Sequence, residues 1–180
     1  GHVTGDGDLL GAAARAEGQV TLEEALEHLR PVLSDASVLK IGQNLKYDLK
    51  VLARHGVAVA PIDDTMLLSY ALDSGLGGHG MDELSERHLG HRPQPIKELI
   101  GTGRSAITFD RVEVDKAAHY AAEDADVTLR LWHRLRPRLA AERVSTVYHR
   151  LERPLVPVLC EMELAGIKVD REILGDMSRR

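Results

Sequence analysis

Val38-Leu39-Lys40-Ile41-Gly42-Gln43-Asn44-Leu45-Lys46-Tyr47-Asp48 is the stretch on which the fold turns. Val38 to Ile41 is a short run with β-branched residues and reads as a strand. Asn44 stands at a strand-to-helix junction. Leu45, Leu49 and Leu52 then recur at helical spacing as far as Gly56, a residue suited to ending a helix. Asn44 and Asp48 are four apart, which predicts one helical face carrying a polar pair where the strand ends.

Upstream, Thr21-Leu22-Glu23-Glu24 fits a capping box and opens a helix in which Leu22, Ala25, Leu26, Leu29, Val32 and Leu33 predict one buried face. Residues 1–20 are rich in Gly, Ala and Asp and read as a loop. Val57 to Ile62 is a second candidate strand, after which Asp64 is placed to N-cap a helix from Thr65 to about Asp73. Residues 73–80 read as a loop, and 81–89 as a short helix stopped by Gly90. A long helical pattern follows from Asp115 to Glu142 through Ala118, Ala121, Ala122, Ala125, Leu129, Leu131, Trp132 and Leu135. The next helix spans about Val147 to Ala165, and Asp170 caps one more. This is a mostly helical α/β pattern with two or three strands. Two strands alone make no independently stable sheet, so either the helices bundle or further strands lie outside the chain.

The 180 residues suffice for one domain and the first elements of a second. Apolar residues at 43% and charged residues at 28% exclude wholesale disorder. No apolar run approaches the roughly 18 residues of a membrane span, which predicts a protein with no membrane partner. A single cysteine, Cys160, excludes a disulfide framework and fits a reducing, cytoplasmic compartment. Residues 1–128 hold 12 Lys and Arg against 21 Asp and Glu, whereas residues 129–180 hold 11 against 7. An acidic body followed by a basic segment argues against electrostatic capture of nucleic acid by the whole surface and leaves room for a carboxylate metal site. The nine histidines show no metal-ligand spacing, which argues against zinc.

Two places could carry chemistry. One is the Asn44/Asp48 pair. The other is Tyr120-Ala121-Ala122-Glu123-Asp124-Ala125-Asp126, where Tyr120 and Asp124 share a helical face among small alanines. On the residues alone, either pair also reads as an ordinary solvated helix surface. Asp64 reads as a helix cap, and Arg130, Arg134 and Arg138 as a solvated row.

Context sharpens this. Ile41-Gly42-Gln43-Asn44-Leu45-Lys46-Tyr47-Asp48 resembles the second exonuclease motif of the bacterial DNA polymerase I family (family A). Tyr120 to Thr128 resembles the third, in its tyrosine form. Asp64-Thr65-Met66-Leu67, His79-Gly80-Met81-Asp82 and Thr108-Phe109 fall between them in that family's order. Glu152-Arg153-Pro154-Leu155-Val156-Pro157 and Gly166-Ile167-Lys168-Val169-Asp170 are similar to the lead-in of its polymerase domain.

The resemblance implies a ribonuclease-H-like 3′–5′ exonuclease fold that removes mismatched nucleotides from a primer. Residues 1–145 would be the exonuclease part and 146–180 the start of the polymerase domain. It implies two-metal phosphodiester hydrolysis with Mg²⁺ or Mn²⁺ held by four carboxylates. Carried over, Asp48 and Asp124 are metal ligands and Tyr120 orients the attacking water. Gln43, Asn44 and Tyr47 hold the terminal nucleotides of a single-stranded DNA 3′ end, and Phe109 packs against a frayed base. The protein is expected to be a monomer.

That family's first motif, Asp-x-Glu on the first strand, occurs nowhere before Asn44. Asp6-Gly7-Asp8 lies in a Gly-rich run and is rejected as a substitute. The chain opens Gly1-His2-Val3 without Met and closes at Arg179-Arg180, so the expectation is a piece of a longer protein, inactive as an exonuclease, with helical apolar surface facing water. The alternatives are a non-catalytic scaffold supporting a polymerase, and a ribonuclease of the same superfamily.

Overall fold

The computed structural model describes residues 2–4, 14–15 and 17–179, so Asp6-Gly7-Asp8 lies outside the described residues. Two short strands, β1 (Val3–Thr4) and β2 (Ala14–Arg15), pair antiparallel, which replaces the expected loop at those positions. Helix α1 (Leu22–Ser34) carries the full capping box: Thr21 Oγ1 accepts the Glu24 N–H, and the Glu24 carboxylate accepts the Thr21 N–H. Its apolar stripe is not buried, however. Leu22 is 55% exposed, and Leu29 and Val32 are likewise open to solvent.

Strand β3 (Lys40–Gly42) pairs in parallel with β4 (Ile62–Asp64), Lys40 opposite Ile62 and Gly42 opposite Asp64. Parallel neighbours need a crossover, and helix α2 (Leu45–Ala53) supplies it. The paired strand β4 begins at Ile62, where the predicted second strand was to end, and the Pro61 carbonyl before it accepts the Lys40 N–H at 3.0 Å. Helices α3 (Thr65–Asp73), α4 (Met81–Leu89) and α5 (Ile96–Ile100) follow, then the long α6 (Val114–Ala141). A short α7 (Ser145–Val147) runs through a wide π-type turn at Tyr148–Glu152 into α8 (Arg153–Ala165), and α9 (Arg171–Arg179) closes the chain. As expected, Asp170 Oδ1 accepts the Glu172 and Ile173 N–H groups at its start.

The main core is a stripe at four-residue spacing on α6, namely Val127, Leu131, Leu135 and Leu139, packed on Leu68, Leu84 and Tyr148. The helix itself matches the expected span, and of the residues that marked its pattern Leu131 and Leu135 are buried while Ala118, Ala121, Ala122, Ala125 and Leu129 are exposed. A second cluster joins Leu49 and Ile62 to Val156 and Cys160, seating α8 on α2 and β4. Lys46 and Lys50 of α2 both pair with Glu163 of α8. The arginine row also differs from expectation. Arg138 is bound to Asp73 rather than solvated.

Candidate active site

The β3–α2 junction is tight because its residues leave no slack. A Cβ at Gly42 would meet the Leu45 side chain at 2.3 Å. Asn44 then takes the left-handed conformation, φ 57° and ψ 43°, which Asn tolerates better than most residues. The Gln43 side chain is fixed at both ends: its amide donates to the His79 carbonyl at 2.8 Å, and its oxygen accepts from Thr65 Oγ1. Asp48 follows one turn into α2, where partial burial pushes its carboxyl above the usual range.

Helix α6 brings the other carboxylate. Asp48 and Asp124 both line one cleft of about 630 Å³, together with Gln43, Gly42, Met81 and Thr128. Asp124 Oδ1 is buried without a partner among the described residues. Burial raises the Asp124 carboxyl, opposed by a hydrogen bond from Tyr120. The Tyr120 hydroxyl is in turn pushed up, first by burial and then by the Asp124 charge, so the phenol stays protonated at neutral pH. Phe109 sits edge-on to Tyr120 with ring centroids 6.0 Å apart, and its ring lies tilted to that of His2 with centroids 5.7 Å apart. It is still 37% exposed.

The remaining nominated residues stand apart. Asn44, as the left-handed residue before α2, does not share the Asp48 face; it borders a separate groove lined by Lys46, Leu67, Leu155 and Leu159. Tyr47 is 65% exposed outside the cleft lining. Glu123 points elsewhere: it accepts the Gln94 N–H at 2.9 Å and lies 2.8 Å from His91 Nε2, contacts that hold its carboxyl below the usual range. Among the described residues no group of three or more His, Cys, Asp or Glu is placed to hold a metal; Asp48 and Asp124 are the carboxylates among the residues lining this cleft.

The two acids of β4 do more than their sequence positions indicate. Asp64 does cap α3, accepting from the Met66 and Leu67 N–H groups, but it also accepts from those of Asn44 at 3.1 Å and Leu45 at 2.8 Å. Asp63, equally buried, accepts from Trp132 Nε1 at 2.8 Å and from the Tyr148 hydroxyl and Arg153 Nη1 at 3.1 Å each. The available signal was two adjacent acids directly after the apolar run Val57–Ile62, where an unpaired buried charge is too costly to leave alone.

Residues 11–140 match the 3′–5′ exonuclease family, and the chain belongs to it. It is 56% identical over 177 residues to the DNA polymerase I of Rhizobium leguminosarum, covering 98% of this chain and 17% of that protein. To the DNA polymerase I of Pseudomonas aeruginosa it is 42% identical over 165 residues, 89% of this chain and 18% of that one. The chain thus spans less than a fifth of the length of these relatives. Among solved structures, Brucella melitensis NrnC superposes with a TM-score of 0.64 at 21% identity, covering 86% of this chain and 69% of that one, which shows the shared fold. NrnC is also known with bound Mg²⁺ and bound to pGG.

Proposed function

We propose that this chain is part of the proofreading 3′–5′ exonuclease of a bacterial DNA polymerase I, acting on the single-stranded 3′ end of a DNA primer. The observation that carries the reading is that Asp48 and Asp124, nominated from motifs far apart in sequence, line one cleft. The site also fits a divalent metal. Both carboxylates pay for partial burial, one oxygen of Asp124 has no partner, and hard oxygen donors suit Mg²⁺ or Mn²⁺. Asp48 and Asp124 would hold the ions, with the other two ligands coming from an Asp-x-Glu segment. When bound, a metal pair of this kind supplies Lewis-acid stabilisation of the entering and leaving oxygens and lowers the pKa of a bound water.

The chain's own residues do the rest. Tyr120, kept protonated beside Asp124, holds and orients the attacking water. Phe109, braced by Tyr120 and His2, offers an exposed ring to a frayed base, and Tyr47 offers a second for stacking. Gln43 arrives with its amide already oriented, and the Asn44 side chain, which makes no cap bond, is free to meet the sugar–phosphate chain.

In this reading residues 1–145 form the exonuclease part and 146–180 the start of the polymerase domain, seated on the exonuclease body through Tyr148, Val156 and Cys160. The protein is a cytoplasmic monomer, in keeping with one buried cysteine; no helix among the described residues is long and apolar enough to cross a membrane. The 180 residues by themselves have negligible nuclease activity, because they bring two of the four carboxylates.

A protein extended upstream through an Asp-x-Glu strand should release 3′ nucleotides from single-stranded DNA with Mg²⁺, and Asp48→Asn or Asp124→Asn should abolish this. Absence of that release in the extended protein would leave the scaffold reading. A preference for RNA over DNA would point to the ribonuclease.

A further inference from the structure

Asp64 is 1% exposed, yet both its oxygens are used. Oδ1 accepts from the N–H groups of Met66, Leu67 and Asn44, and Oδ2 from that of Leu45 at 2.8 Å. One carboxylate therefore serves the N-termini of two helices, α3 directly after it and α2 from about twenty residues away. The first-turn N–H groups of a helix need an acceptor, and Asn44 gives α2 none, its side chain making no cap bond. Asp64 fills that role from the neighbouring strand, and both helix dipoles favour its negative charge there. The same junction is gripped by Thr65, whose hydroxyl lies at the Gly42 carbonyl, 3.1 Å, and at Gln43 Oε1.

Holding Asn44 in a left-handed conformation costs free energy that the surroundings must supply. The direction in which α2 leaves that turn decides where Asp48 stands, and the turn itself carries Gln43 into the cleft. Resting on the exonuclease reading above, we propose that Asp64 is a positioning residue of the site: it touches neither substrate nor metal, and it sets the turn that aims Asp48 and Gln43 at the Asp124 side of the cleft. A helix cap alone would need only the Met66 and Leu67 contacts.

Asp64→Ser separates the two roles. Serine still reaches Met66 and Leu67 as an N-cap, but it is too short to reach Asn44 and Leu45. In the 180-residue chain, amide hydrogen exchange of Asn44 and Leu45 should quicken about tenfold relative to Met66 and Leu67. The Mn²⁺ concentration that half-broadens the Gln43 side-chain amide signal should rise about tenfold. Thr21→Ala, which removes a comparable cap far from the cleft, should change neither. Should Asp64→Ser not fold, Asp64→Asn is read at Leu45 alone, because its Oδ1 still accepts from Asn44, Met66 and Leu67 while its amide presents a donor to the Leu45 N–H. Unchanged relative exchange at Asn44 and Leu45, or a Mn²⁺ effect on Gln43 that is the same size in the native chain and the variant, overturns the proposal. The exchange comparison needs no metal, so it decides the setting of the turn even if the native chain shows no Mn²⁺ effect, a result that would instead count against the exonuclease reading.

Discussion

The guanidinium of Arg138 grips the carboxylate of Asp73 at two points, Nη1 donating to Oδ2 at 3.0 Å and Nη2 to Oδ1 at 2.9 Å. The pair ties the end of α3 to the last turns of α6, and Arg138 Nε also donates to Glu142 at 2.7 Å. Asp73 is 8% exposed, so removing its partner strands a charge where water does little to help.

Arg138→Met should therefore lower unfolding free energy by on the order of 2–3 kcal/mol in urea titrations. The pair also fixes a pH dependence. The Arg138 hydrogen bonds hold the Asp73 carboxyl below its ordinary 3.8, so its contribution is present above that value and lost as pH falls through the depressed one. His88, held below 6.5 mainly by burial, acts in the same direction: the unfolded chain takes up its proton first, and stability falls on acidification from about 6.5. Thermal scans between pH 7 and pH 3 should show a falling midpoint, and Arg138→Met should flatten the lower part of that curve.

Tyr148→Phe tests the joint between the body and α8. The hydroxyl accepts the Asp64 N–H at 3.0 Å and donates to Asp63 at 3.1 Å, and the ring is fully buried. Its loss leaves the Asp64 amide unpartnered and should cost about 1–3 kcal/mol. Trp132, the single tryptophan, donates to the same Asp63 at 2.8 Å, so its fluorescence reports unfolding of this joint.

Asp124→Asn should stabilise the metal-free chain while abolishing metal binding. Burial raises the Asp124 carboxyl, so at neutral pH its charge weighs against folding, and that cost is relieved as pH falls through the raised value. The gain should be less than about 1 kcal/mol, since the group keeps some contact with water. Denaturation at pH 7 without divalent metal checks the sign.

Local chemistry made much of this fold readable. The Thr21/Glu24 box, the Asp64 and Asp170 caps and the Gly90 stop act within one helical turn, and each stands where the residues put it. Asp48, Asp124 and Gln43 were nominated by motif and lie along one cleft. What depended on distant partners was not readable. The Arg138 row looked solvated because Asp73 is remote in sequence. Asp64 looked like a plain cap because its other two donors come from across the parallel strand pair. The apolar stripe of α1 promised a buried face, but amphipathic spacing says only that a face could be covered, and Leu22, Leu29 and Val32 are open here. Asn44 left the Asp48 face for a conformational reason, a positive φ that spacing cannot report.

The proposed exonuclease activity requires Asp48 and Asp124 to act as one divalent-metal site. Titrating the ¹⁵N-labelled chain with Mn²⁺ should broaden resonances around Asp48, Asp124 and Gln43 selectively, and Asp124→Asn should remove that selectivity. Broadening confined to other carboxylates, or an undiminished effect in Asp124→Asn, would contradict it.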